Sequence, residues 1–101
     1  MINLKGIKNI ALFTHIRPDG DALGSMNGLA LALRKKGLKV DCYCDSEIPV
    51  ILSFLPNVGN IQNGALTKNY DMMISVDCAD EFRLGKYKDV YLKHANTVNI
   101  D

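Results

Sequence analysis

Asn9 to Cys44 reads NIALFTHIRPDGDALGSMNGLALALRKKGLKVDCYC, and its hydrophobic pattern changes period twice. Asn9 to Thr14 (NIALFT) is a nearly continuous apolar run, the pattern of a strand buried on both faces of a sheet. His15 to Gly20 then break the pattern with Pro18 and Gly20. From Asp21 to Gly37 the apolar residues recur at helical spacing, with Ala22, Leu23, Met26, Leu29, Ala30 and Leu33 in one stripe. Asp21 suits the N-cap of this helix. Arg34, Lys35 and Lys36 suit the negative end of its dipole, and Gly37 suits the C′ stop. Leu38 to Cys44 (LKVDCYC) alternates and predicts a second strand. A strand–helix–strand unit is a crossover, so the two strands are expected to be parallel.

Downstream the same alternation continues. Ser46 to Leu55 predicts a short helix closed by Pro56, and Val58 to Ile61 a short strand. Tyr70 to Asp77 (YDMMISVD) predicts another buried strand. Glu81 to His94 is polar and helix-like, with Gly85 as its weak point. Asn96 to Ile100 predicts a final strand. Alternating strands and helices without repeats or linkers argue for an α/β fold with a parallel sheet. A compact domain rarely stops at the end of a buried strand, so the chain is expected to be an N-terminal piece of something longer. The sheet edge left open there is expected to favour self-association, with a homodimer as its simplest form.

The chain has 101 residues, 12 Lys and Arg against 11 Asp and Glu, and a hydrophobic fraction of 48%, the profile of one ordinary globular domain. A net charge of +1 argues against binding nucleic acid through bulk charge, although a local basic patch stays compatible with it. No apolar run approaches the roughly 18 to 20 residues of a membrane span, and no secretory signal pattern is present. Three cysteines make no disulfide framework. Cys42 and Cys44 are expected to be buried thiols on one face of a strand in a reducing cytosol, and zinc would need more ligands at tighter spacing.

In open parallel sheets, ligands bind beyond the carboxyl ends of the strands. The first predicted strand runs out into Thr14 to Asp21, the second into Asp45, the fourth into Asp77 and the last into Asp101. Asp at a strand exit is ordinarily a turn former or a helix cap, and Asp45 and Asp80 are read that way. Asp19 and Asp21 are two acids for one capping job, with His15 four residues before the first. His-x-x-x-Asp-x-Asp in one loop, with Asp77 on a separate strand, suits two divalent ions. One acid of the loop would hold each ion, and Asp77 would bridge them, making it the residue on which catalysis most depends. Together such ions activate a water and clamp phosphate oxygens. An imidazole from His15 suits Mn²⁺, Co²⁺ or Fe²⁺ better than Mg²⁺ or Ca²⁺. Gly20 and Gly24 allow close approach to the backbone, and Ser25 is an ordinary solvent-facing helix residue.

These residues carry a family resemblance. HIRPDGDALGS (His15 to Ser25) closely resembles the first motif of the DHH phosphoesterases. SVDCADEFRLG (Ser75 to Gly85) looks like their second motif, and NID (Asn99 to Asp101) looks like the start of the Asp-His-His motif. The branch it most resembles is the nano-RNase (oligoribonuclease) and pAp phosphatase group, related to RecJ exonucleases. The resemblance implies a three-layer, Rossmann-like α/β domain, mostly parallel, with helices on both faces and cut short at its C-terminal end. It implies that His15, Asp19 and Asp77 hold a first metal and that Asp21 and Asp77 contribute to a second, with Mn²⁺ preferred. Asp101 matches a supporting residue. Arg83 reads as a salt-bridge former at a helix start, with a substrate role as the lesser reading. The substrates implied are nucleotides or short oligonucleotides. The remaining ligands of the second ion and the nucleotide-gripping C-terminal domain would follow Asp101, so the chain alone is expected to hold at most one Mn²⁺ and to be inactive.

Three other α/β readings fit less well. A receiver domain would want a Lys near the end of a last strand and no His in the acid loop. A haloacid-dehalogenase-like phosphatase places Asp-x-Asp directly after the strand, where His15 to Pro18 intervene here. A dinucleotide-binding domain would show Gly-x-Gly-x-x-Gly, which Gly20 and Gly24 do not fit. The non-enzymatic alternative is a regulatory or inactive fragment that binds one metal or a nucleotide without turnover.

Overall fold

The structure, a computed structural model, describes residues 3–48, 60–66, 68–77 and 81–100. Five strands form one sheet: β1 (Asn9–Thr14), β2 (Lys39–Tyr43), β3 (Ile61–Gln62), β4 (Met72–Val76) and β5 (Thr97–Ile100). Their order is β3-β2-β1-β4-β5, and every pairing is parallel. Helix α1 (Gly20–Lys35) joins β1 to β2, and a 3-10 segment (Glu81–Tyr87) followed by helix α2 (Lys88–Lys93) lies between β4 and β5.

The unbroken apolar run of β1 follows from its place at the centre. Ile10 and Leu12 pack with Val40, Cys42, Met72 and Ile74 against the Leu23, Met26, Ala30 and Leu33 stripe of α1. Ala11 and Phe13 face the other way, into Tyr43, Tyr70, Met73, Leu84, Tyr87 and Tyr91. One strand therefore serves two cores, and the three-layer expectation holds. Fully burying a side chain such as Leu12 or Leu23 contributes about 1.5–3 kcal/mol, so either face alone is a large share of the stability.

The second core is aromatic, and its phenols need partners. Tyr70 donates to Asp41 Oδ2 at 2.6 Å, and Tyr43 lies 2.6 Å from the Tyr70 oxygen. Tyr87 donates to the Gly64 carbonyl at 2.7 Å and Tyr91 to that of Val98 at 3.0 Å. Burial, reinforced by the bond to Asp41, pushes the Tyr70 hydroxyl far above the ordinary phenol range. Asp71 ties the starts of β1 and β4 together: its Oδ2 accepts from the amides of Lys8 and Asn9, which hold its carboxyl below the ordinary range.

Helix α1 starts one cap earlier than expected. Asp19, not Asp21, is the N-cap: it is extended (φ −94°), and its Oδ1 accepts from the Ala22 amide at 2.8 Å. Asp19 is the last non-helical residue, and its short carboxylate suits that cap. The C-terminus follows the expected Gly37 stop. Gly37 (φ 90°) donates to Arg34 O at 3.0 Å and Leu38 to Leu33 O at 3.3 Å, the paired bonds of a Schellman motif.

The predicted helix Glu81 to His94 is split in two. Gly85 has φ 62° and ψ −131°, a conformation open to glycine and costly for other residues. A Cβ there would run into the Asp45 carboxylate, whose Oδ2 accepts from the Lys86 amide at 2.7 Å. Lys86 Nζ also lies 3.6 Å from Asp45 Oδ1 and donates to Asn63 O. Asp45 is thus structural, as expected, but its job is to clamp the kinked segment to the end of β2. Of the helix expected at Ser46 to Leu55, residues 46–48 are not helical and residues 49–55 lie outside the described residues, as do residues 58–59 of the strand expected at Val58 to Ile61; β3 occupies Ile61–Gln62.

Gly85→Ala should lower stability by about 1–3 kcal/mol, read as the shift in urea midpoint. Adding Asp45→Ala should relieve the clash but lose the Lys86 clamp, and the backbone penalty stays, so stability should not return to wild type. Cys42 and Cys44 are buried free thiols, and burial pushes both up to about 11 from an ordinary 9.0. The native state holds these protons more tightly than the unfolded chain, so their contribution is complete below pH 9.0 and lost toward pH 11. In a Cys78→Ser background, neither thiol should react with a disulfide reagent at about pH 8 until guanidinium unfolds the protein. Rapid labelling of the native state would contradict this burial.

Candidate metal centre

The β1–β4 register places Thr14 beside Val76, and Thr14 Oγ1 donates to the Val76 carbonyl at 3.1 Å. Both strands end at this pair, so His15 and Asp77 leave the sheet side by side. From here β1 leads through α1 to β2 on one side, and β4 leads to β5 on the other. Strands that part in this way open a crevice at their carboxyl ends, the usual ligand position of an open parallel sheet. His15 Nε2 lies 4.0 Å from Asp77 Oδ2. Asp19 arrives from the start of α1, and one ligand atom from each of His15, Asp19 and Asp77 lies within 4.8 Å of the others.

Local geometry aims each donor. A carbonyl oxygen can only accept, so the 2.7 Å contact between His15 Nδ1 and Ile16 O puts the ring proton on Nδ1. That leaves the Nε2 lone pair facing Asp77, the tautomer a metal ligand needs. The His15 side chain is only 10% exposed, whereas that of Asp77 is 45% exposed. Asp77 has φ 54°, a left-handed position that Asp and Asn tolerate better than most residues, and its amide donates to Ile100 O at 2.8 Å. The bend turns the carboxylate out of the strand line. Asp19 spends Oδ1 on the helix cap and keeps its second oxygen for another partner.

One imidazole nitrogen and two carboxylates form a borderline-to-hard donor set that fits a divalent cation such as Mn²⁺ or Fe²⁺. Two acids this close repel each other, and a cation between them would offset that repulsion. The three expected ligands of the first ion are therefore brought together. Asp21 is not in this group; it sits exposed in the first turn of α1, near the positive end of the helix dipole. Asp101, Cys78 and Asp80 lie outside the described residues. Ser25 and Gly24 are exposed on α1, as expected.

Arg83 reaches this group from the 3-10 segment. Among the described residues no carboxylate lies within ion-pair distance of its guanidinium. Its carbonyl instead accepts from the Ile16 amide at 2.6 Å, and Nη2 lies 3.4 Å from His15 Nδ1. Sequence spacing gave no hint of this: residue 83 meets residue 15 only because β1 and β4 are neighbours.

Residues 9–101 match the family described as DHH family, N-terminal domain. No curated protein matches the chain. Among solved structures, an exopolyphosphatase-related protein from Bacteroides fragilis superposes with a TM-score of 0.88 at 21% identity, covering 97% of this chain. The match takes in 32% of that protein, so the chain spans about a third of its length. With residues 9–101 matched and the three-layer fold shared, the chain belongs to the DHH family, matching its N-terminal domain.

Proposed function

We propose that this chain supplies the metal-binding part of a phosphoesterase that hydrolyses nucleotides or short oligonucleotides. The observation that carries the reading is the convergence of His15, Asp19 and Asp77 at the β1–β4 switch point of a DHH-family domain. A divalent cation held there would polarise a phosphoryl oxygen and lower the pKa of a water, which is the chemistry phosphate ester cleavage needs. The chain's own part is positional. His15 offers Nε2 because Ile16 O holds the proton on Nδ1, Asp77 offers a carboxylate turned into the crevice, and Asp19 offers the oxygen its cap leaves over.

Asp21, on the first turn of α1, belongs to a second ion in this reading, with Asp77 bridging and Asp101 in support. Mn²⁺ is the preferred metal on the mixed nitrogen and oxygen donors. The setting is cytoplasmic and the assembly a homodimer; among the described residues no helix is long and apolar enough to cross a membrane. The motif resemblance favours pAp and short oligoribonucleotides. The similar solved structure is an exopolyphosphatase-related protein, which makes polyphosphate the competing substrate. Assay of the intact protein with Mn²⁺ against pAp, a short oligoribonucleotide and polyphosphate decides between them, and hydrolysis of none would overturn the reading.

Asp77→Asn keeps the left-handed tolerance and removes the charge. In the intact protein at saturating Mn²⁺ it should reduce turnover more than tenfold, about 1.4 kcal/mol of barrier; activity within a few-fold of wild type would contradict a bridging role. Asp19 permits a cleaner separation. Asp19→Ser retains a good cap and Asp19→Ala loses it, so Ala should cost about 1 kcal/mol more stability while both weaken Mn²⁺ binding alike. Full metal affinity in the Ser variant would show that Asp19 is only a cap.

A further inference from the structure

Arg83 stands one imidazole ring away from the donor group, with no carboxylate in ion-pair reach among the described residues. Arg83 Nη2 lies 3.4 Å from His15 Nδ1, the same nitrogen that faces the Ile16 carbonyl at 2.7 Å. Among the described residues no carboxylate pairs with the guanidinium, and Arg83 is exposed. Its backbone is nonetheless fastened. The Arg83 carbonyl takes the Ile16 amide at 2.6 Å, and two residues on, the Asp45 carboxylate fixes the Gly85 kink through the Lys86 amide at 2.7 Å. A loose surface arginine needs no such anchoring on both sides. Leu84, next to it, is buried in the aromatic core, which fixes the direction in which residue 83 points outward.

A guanidinium carries several N–H donors in a fork that matches two oxygens of a phosphate, and it binds such a group far better than it binds solvent alone. A phosphoryl group drawn to the cation site would bring oxygens to the rim where Arg83 waits. We infer that Arg83 is a substrate-binding residue that grips a phosphate of the substrate beside the His15, Asp19 and Asp77 group. The inference deepens the phosphoesterase reading and rests on it. It adds a specific demand: the substrate presents phosphate oxygen to the Arg83 guanidinium as well as to the metal donors.

The test measures two affinities in the intact protein. Mn²⁺ binding is followed by electron paramagnetic resonance, and inorganic phosphate binding to the Mn²⁺-loaded protein by calorimetry, for wild type, Arg83→Gln and Arg83→Lys. The expected result is Mn²⁺ affinity unchanged within about twofold, phosphate affinity at least about tenfold weaker in Arg83→Gln, and Arg83→Lys in between, because lysine keeps the charge and loses the fork. Phosphate affinity unchanged in Arg83→Gln, with Mn²⁺ still bound, would overturn the inference and leave the metal reading standing. Loss of Mn²⁺ from Arg83→Gln would also overturn it, since Arg83 would then serve to position His15. Failure of wild type to bind Mn²⁺ would overturn the phosphoesterase reading itself, and the inference with it.

Discussion

The parallel pairing of β1 with β4 is the constraint on which the rest depends. Thr14 sits beside Val76, so the first residues beyond the sheet are His15 on one strand and Asp77 on the other. A one-residue slip would exchange the faces of every side chain in β4. It would send Met72, Ile74 and Val76 away from α1 and move Asp77 out of step with His15. Register is held by burial on both faces, by the Thr14 hydroxyl on the Val76 carbonyl, and at the opposite end by Asp71 on the amides of Lys8 and Asn9. Packing and site geometry are therefore one requirement: the same alternation that fills two cores sets the distance between two donors.

The two faces of the sheet contribute differently. The α1 face is aliphatic and delivers Asp19 through the helix start. The opposite face is aromatic, with Phe13 stacked on Tyr43 at 5.5 Å and Tyr43 against Tyr87 at 5.4 Å, and its phenols are satisfied by Asp41 and by backbone carbonyls. This face carries the kinked 3-10 segment that sets Arg83 against the His15 loop. Gly85 is the joint. Without a Cβ it lets Asp45 close on the Lys86 amide, and the clamp links the end of β2 to the rim of the site. Residues remote from the metal donors thereby set where a cation can stand.

Asp19 shows how little of a site is exclusively functional. Its Oδ1 ends the helix, and the same carboxylate lies within 4.8 Å of the other donors. Expecting separate acids for the two tasks is reasonable from sequence, because caps are abundant and one Asp suffices for each. The fold places a single side chain at both tasks instead. That moves Asp21 into the first helical turn, where its charge favours the dipole and where only a second ion would call on it.

The sequence by itself determined a great deal here, because local rules suffice for it. The period change from Asn9–Thr14 to Asp21–Gly37 named the first strand and helix, Gly37 marked the stop, and the apolar run before Asp77 named a central strand. Spacing in HIRPDGD also singled out His15, Asp19 and Asp21, and the strand exit singled out Asp77, before any neighbour of theirs was visible. What it could not contain was order within the sheet. Strand order depends on which hydrophobic faces bury each other across tens of residues, and no local pattern records that β4 lies against β1 while β2 takes the other side. The Asp19 cap, the Gly85 kink and the approach of Arg83 to His15 follow from that order. Each joins groups distant in sequence, or turns on which of two nearby acids the backbone leaves non-helical, and only the tertiary structure decides those choices.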